Sequence, residues 1–264
     1  MTPRRFVPHT VTFDCWQTLI HEDHSPAQGL AKGRAQMISE ATGAAPARIA
    51  ELFAKAWHEH QRAWHRRAVF ASADMMAHVL RALEVELAPE RRAALLTELE
   101  DEILSHRVVA IDGAGDLLVA LRQAGVRTAL ICDTGFSPGR VVRRLLQRVG
   151  LLEHLEVHVF SDEVRVPKPH PRAFSAALEG LGVPAKGAVH IGDLRRSDVA
   201  GARAAGMGTV RFSGRNDDAD EGPAASAGVI DCAAAGCEPP CARPEADAVI
   251  ESYAELTEYL TLRE

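Results

Sequence analysis

No apolar run in this chain is long enough to cross a bilayer, which excludes a helical membrane span from the expected architecture. A secretory apolar region is also missing: Arg4 and Arg5 precede Phe6 and Val7, but Pro8, His9 and Asp14 break the stretch. No block of one charge sign suggests a nucleic-acid arm, and 30 basic against 36 acidic residues leave a net charge of -6. Paired, evenly spaced cysteines are lacking as well. Cys15 and Cys132 fall at strand ends, whereas Cys232, Cys237 and Cys241 cluster, unlike a secreted disulfide framework. No internal repeat is evident. These absences predict a cytoplasmic globular protein whose partners are small molecules, with neither nucleic acid nor membrane among them; they leave the oligomeric state open.

What is present is enough apolar material for a sizeable core, 47% of 264 residues, in one large or two unequal domains. From about Pro26 to Arg107 the pattern is helical throughout. Ile49, Leu52, Phe53, Ala56, Trp57, His60 and Trp64 fall at intervals of three and four and line one helix face. Ser72 can cap a helix carrying Met75, Met76, Val79, Leu80 and Leu83, and Pro89 opens another with Leu95, Leu96, Leu99 and Ile103. The Trp and Met residues of this bundle read as packing residues.

After Val109 helix and strand alternate. Strands are predicted over 127–132, 157–160, 188–191, 209–212 and 248–250, with helices over 113–124, 138–149, 171–181, 197–205 and 253–262. Such alternation implies an α/β fold, a Rossmann-like parallel sheet with helices on both faces. The strand at Val11 to Asp14 must join that sheet from before the bundle, so the bundle is an insertion. The expected organisation is a core of residues 1–20 and 108–264 with an all-helical cap of residues 21–107 over the sheet's carboxyl edge. The Asp, Gly, Ala and Pro-rich stretch 213–247 reads as a long loop, partly disordered.

Polar residues stand at the ends of several apolar strands, where open α/β sheets place their chemistry. VTFDCWQTLI gives Asp14, ALIC is followed by Asp133, Thr134 and Gly135, VRVPKPHPRAF supplies Lys168, and AVHI leads into Gly192, Asp193 and then Asp198. An aspartate after a strand is common, and Asp193 and Asp198 can also be read as a helix-start pair. In this order on successive strands, the residues resemble the haloacid dehalogenase superfamily, with KPHPRAF and HIGDLRRSDVAGARAAGM closest to its third and fourth motifs.

The resemblance covers nearly the whole chain and implies a hydrolase with a helical cap. Asp14 would be the nucleophile, forming a covalent aspartyl intermediate. Lys168 would hold Asp14 and the incoming anion. Asp14, Asp193 and the Trp16 backbone carbonyl would bind Mg2+, with Asp198 in support. Thr134, Asp133 and Gly135 would meet the substrate. Thr134 suits the phosphate slot because its hydroxyl can donate to an oxyanion, whereas an ionised Asp133 would repel one unless protonated or turned aside.

Trp16 is the principal departure. In phosphatases of this family a carboxylate two residues after the nucleophile carries the proton, and an indole cannot. Three readings follow. A Mg2+-dependent phosphatase acting on a small phosphorylated metabolite is the favoured one, its leaving group good enough or its acid supplied elsewhere. A 2-haloacid dehalogenase needs no acid, but Asp193 belongs to the metal-binding version of the motif. A phosphonoacetaldehyde-hydrolase-like C–P bond hydrolase needs a cap lysine, and the predicted cap offers Lys32 and Lys55. From another class comes a non-catalytic homologue that binds a phosphorylated ligand. His21 and His24 are candidate substitute acids, or else exposed linker residues. Arg195 could touch an anionic substrate or face solvent. The cysteines of CAAAGCEPPC match no zinc spacing.

Overall fold

The computed structural model describes residues 5–23, 27–216, 218 and 245–262. The first strand, β1 (Thr10–Phe13), is buried along its whole length, as an apolar strand covered on both faces must be. A tight turn follows, with Gln17 in the left-handed region at φ 61°, and then β2 (Ile20–Glu22). The chain next runs through α1 (Ala27–Thr42), α2 (Pro46–His65), α3 (Ser72–Ala82) and α4 (Pro89–Asp101), and returns through β3 (Val108–Ala110). β2 and β3 pair antiparallel, Ile20 opposite Ala110 and Glu22 opposite Val108, so the helical segment leaves and rejoins at one place.

The alternating part follows with α5 (Ala114–Gln123), β4 (Arg127–Cys132), α6 (Gly139–Arg148) and β5 (Val157–Phe160). It continues through α7 (Ser161–Val164), α8 (Pro171–Leu181), β6 (Ala188–Gly192), α9 (Ala200–Ala204), β7 (Gly208–Phe212) and β8 (Ala248–Ile250). Among the described residues these strands form a six-stranded sheet in the order β5-β4-β1-β6-β7-β8, with every neighbouring pair parallel. The order reverses at β1, which places a crevice at the carboxyl ends of β1, β4 and β6. Asp14, Asp133 and Asp193 each follow the last residue of one of those strands.

Three apolar clusters hold these layers. One packs the sheet against α5, α6 and the carboxyl-terminal residues, a second packs it against α8 and α9, and a third lies within α1 to α4. In the helical cluster Ile38, Ile49, Met75 and Leu95 are wholly buried, as the intervals of three and four predict. A stripe on α6 links the layers: Arg140 and Arg144 pair with Asp101 at the end of α4, and Arg148 donates to the Leu104 carbonyl at 2.5 Å.

Two predicted helices differ from expectation. Residues 253–262 form only a 3-10 turn at Tyr253–Glu255 and a single α turn at Leu256–Tyr259. Leu260 instead bridges to Phe6, with the Phe6 N–H on the Tyr259 carbonyl at 2.7 Å and the Thr261 N–H on Phe6 at 2.8 Å. The helix predicted over 197–205 begins as a wide π turn at Arg195–Val199 before α9. That turn brings Asp198 inward, where its Oδ2 accepts the Leu194 N–H at 3.0 Å. Among the described residues no helix is long and apolar enough to cross a membrane.

Candidate active site

Lys168 organises the crevice. Its segment is held by the Asp133 carboxylate, which accepts the Lys168 backbone N–H at 2.9 Å. Its ammonium, 2% exposed, donates to Asp14 Oδ1 at 2.5 Å and Asp198 Oδ1 at 2.7 Å. Behind it runs a chain of buried groups absent from the sequence-based set: His190 Nε2 donates to Asp198 at 3.1 Å and its Nδ1 accepts from the Thr12 hydroxyl at 2.8 Å. A histidine inside the apolar strand AVHI was the available signal for this relay.

Burial drives Asp14 upward to about 6 against the pull of Lys168. For Lys168, burial would lower its value, but the charges of Asp14, Asp198 and Asp133 outweigh that and raise it. Burial would likewise raise Asp198, yet Lys168 and His190 hold it low. Asp193 is raised by burial and then by repulsion from Asp14 and Asp198. Asp14, Asp193 and Asp198 therefore face one ammonium, an excess of buried negative charge. Hard oxygen donors with surplus negative charge suit a divalent cation such as Mg2+, which binds through one or two carboxylates and leaves its other positions to water and phosphate. Asn216 also donates to Asp193 Oδ2, at 2.7 Å.

The second strand end separates the roles of its neighbouring polar residues. Both Asp133 oxygens are engaged by N–H donors, Oδ1 by Lys168 and Oδ2 by the Trp64 indole at 2.8 Å, so this carboxylate is turned aside from an incoming anion. Thr134 lines the crevice, its hydroxyl donating to Asp162 Oδ1 at 3.0 Å and its N–H to Ser161 Oγ at 2.8 Å. Gly135 lies beside it; a Cβ there would stand 3.4 Å from the Trp57 ring.

Above these residues is a cavity of about 440 Å³, walled by the strand ends on one side and by α1 and α2 on the other. Asp14, Lys168, Asp193 and Asp198 line it, with Trp16, Thr134 and Gly135. The structure does not bring every candidate there. His21 lies on β2 and its Nδ1 meets an Arg215 guanidinium nitrogen at 3.0 Å, outside the cavity wall. Arg195 turns to Asp218, donating its backbone N–H to the carboxylate at 2.7 Å. His24, Cys232, Cys237 and Cys241 lie outside the described residues. Lys32 and Lys55 are exposed on their helices, and neither lines the cavity, which removes the lysine a C–P hydrolase reading needs. The histidine in the wall is His60 of α2, which the helical spacing sets on one face with Ile49, Leu52 and Phe53.

A family model described as haloacid dehalogenase-like hydrolase matches residues 8–206. Glyceraldehyde 3-phosphate phosphatase of Pyrococcus furiosus is 32% identical over 135 residues, 51% of this chain and 55% of that protein. The chain thus spans about half the length of the curated relatives it matches. Among solved structures, a HAD phosphatase from Thermococcus onnurineus superposes with a TM-score of 0.61 at 22% identity, covering 94% of this chain and 96% of that one. A 2-haloacid dehalogenase from Pseudomonas syringae pv. Tomato DC3000 gives 0.62 at 22% identity, covering 96% and 97%. At that identity the superpositions establish the shared fold, while the match to the family over most of the sequence establishes descent: this chain belongs to the haloacid dehalogenase-like hydrolases.

Proposed function

We propose that this protein is a cytoplasmic Mg2+-dependent phosphatase of a small phosphorylated metabolite, acting through an aspartyl-phosphate at Asp14. The observation that carries the reading is the Lys168 ammonium bonded to Asp14 and Asp198 together, inside a wall that also holds the Thr134 hydroxyl. That arrangement aims one carboxylate at an anionic substrate and supplies the positive charge that lets two anions approach. Asp14 attacks phosphorus and the P–O ester bond breaks, the departing oxygen taking a proton from solvent; water then attacks the phosphoryl group, breaking its bond to Asp14, returning a proton to solvent and releasing inorganic phosphate with the carboxylate restored. Thr134 and Gly135 receive phosphate oxygens, the Thr134 hydroxyl exchanging its bond to Asp162 for one to the phosphate, and Asp133 positions Lys168. Asp14, Asp193 and the Trp16 carbonyl would hold the ion, which offsets charge on the nucleophile and the phosphate when bound. Residues 21–107 act as the cap that excludes water, over a core of residues 1–20 and 108–264. The relative named glyceraldehyde 3-phosphate phosphatase supports a small phosphate ester as substrate.

Trp16 in the cavity wall favours a second reading, a leaving group that needs no proton, either an acyl phosphate or, in a dehalogenase, a halide. One screen separates these: phosphate esters, acyl phosphates, phosphonates and 2-haloacids, each with and without Mg2+. Phosphate release that requires Mg2+ and is lost in Asp14→Asn supports the proposal. Full activity in that variant would make the nucleophile assignment wrong. Metal-independent halide release supports the dehalogenase, and Mg2+-dependent ligand binding without turnover supports a binding homologue.

A further inference from the structure

The chain's 3 tryptophans, Trp16, Trp57 and Trp64, all line this same cavity, in a protein whose aromatic content is 5%. Trp57 is 42% exposed and lines the cavity, so part of a large apolar ring is held out of the core there. Around it the rings are nearly parallel. Trp57 and His60 stack at 4.8 Å with 23° between planes, and Trp57 and Phe136 lie 6.4 Å apart at 8°. Flat faces of this kind select flat ligands, because stacking rewards one planar system lying against another.

His60 adds a polar reading of the same ligand. Its Nδ1 lies 2.7 Å from the Phe70 carbonyl, which can only accept, so the proton is on Nδ1. Burial lowers the ring's basicity against that hydrogen bond and keeps it neutral near pH 7. Nε2 is then the lone-pair side, and a Cβ on Gly135 would stand 3.6 Å from it, so it faces the candidate phosphate-binding strand end. From α1 the wall receives Arg34, stacked over Phe136 at 4.3 Å and donating from Nε to the Leu99 carbonyl at 3.1 Å.

We propose that the leaving group of the substrate is a planar aromatic or heteroaromatic alcohol bearing a further hydrogen-bond donor, stacked on Trp57 and donating to His60 Nε2. The substrate class is an aryl-type phosphate monoester, and His60 is its specificity-determining residue. The inference rests on the phosphatase reading for the word substrate, and on the cavity alone for the ring.

The test uses a matched pair, 4-hydroxyphenyl phosphate and 4-methoxyphenyl phosphate, with glycerol 1-phosphate as the aliphatic comparison. In the full chain with Mg2+, kcat/KM for the hydroxyphenyl ester exceeds that for the methoxyphenyl ester by about tenfold or more, since a site built around a donor rejects the analogue lacking it. His60→Phe, which keeps the stack, brings the ratio to about one. His60→Gln, which keeps an acceptor, retains part of the preference. Equal rates in the native protein, an unchanged ratio in His60→Phe, or a preference for glycerol 1-phosphate overturns the proposal. A binding arm needs no turnover: hydroquinone quenches the intrinsic tryptophan fluorescence and 4-methoxyphenol does so more weakly. His60-dependent quenching without turnover of any ester keeps this subsite and rejects the phosphatase reading. Turnover with neither discrimination nor quenching does the reverse, and absence of both turnover and quenching overturns the subsite as well.

Discussion

Trp64 of α2 donates its indole N–H to the Asp133 carboxylate at 2.8 Å, and the other oxygen of that carboxylate accepts the Lys168 backbone N–H at 2.9 Å. One side chain therefore ties the helical segment to the residue that holds the candidate nucleophile. Arg196 packs its guanidinium 3.7 Å above the same indole, from the turn that carries Asp198. Trp64→Phe keeps the ring and removes the hydrogen bond to a charged acceptor. It is expected to lower stability by about 1–2 kcal/mol in denaturant unfolding, and to reduce turnover with no change in the Mg2+ requirement. Native stability in that variant would mean that the Trp64 to Asp133 contact contributes nothing.

Asp193 carries a prediction of opposite signs with and without metal. Its carboxylate is buried against those of Asp14 and Asp198, so Asp193→Asn relieves repulsion in the metal-free protein and raises its melting temperature. The same change removes a donor, so the upward shift that Mg2+ gives the native protein disappears. Thermal unfolding with EDTA and with Mg2+ checks both, and a Mg2+ shift surviving in the variant would remove Asp193 from the ligand set.

For pH, His60 gives a definite sign. Its folded value lies below the 6.5 of a free histidine, chiefly through burial, so below that pH the unfolded chain takes up a proton that the folded ring resists. The stabilisation is present above pH 6.5 and is lost as pH falls through the lower folded value. Asp14, raised to about 6, acts in the opposite sense, so the comparison must be with a variant. Unfolding free energies of native and His60→Gln protein should converge as pH drops from 7.5 to 5. Parallel curves would mean that His60 titrates normally in the folded state.

Gly192 tests how closely the last motif is packed. A Cβ there would fall 2.4 Å from Asp198 Cγ, within the carboxylate that holds Lys168. Gly192→Ala should cost about 1–3 kcal/mol, as overpacked sites do, and should abolish turnover by displacing Asp198. Full activity with a native melting temperature would show that this contact relaxes without consequence.

The sheet was legible because its strands are apolar runs bounded by polar or turn-forming residues: the predicted 127–132, 157–160 and 248–250 coincide with β4, β5 and β8. β2 and β3 have no such frame, and they form only because the two ends of the helical segment meet. Asp14, Lys168, Asp193 and Asp198 could be named because each follows a strand or opens a helix in a recurring order. His60 could not, since helical spacing placed it on the same face as Ile49, Leu52 and Phe53. That face begins in the core and ends at the cavity, and periodicity does not mark where one becomes the other. Asp133 was ambiguous for a similar reason, because its two donors come from residues 64 and 168, remote in sequence.

The β2–β3 ribbon makes the 27–105 segment an excursion with closed ends. Its two connections are hydrogen-bonded to one another, so its termini stay adjacent whatever happens inside it. Internal length is then nearly free of consequence for the sheet, because closure entropy grows only with the logarithm of loop length. Helices could be lengthened, exchanged or removed between those two strands without altering the order in which the sheet assembles. The ribbon is thus the natural splice point of the molecule: a chimera joined within Ile20–Glu22 and Val108–Ala110 would take its sheet from one parent and its helical segment from the other.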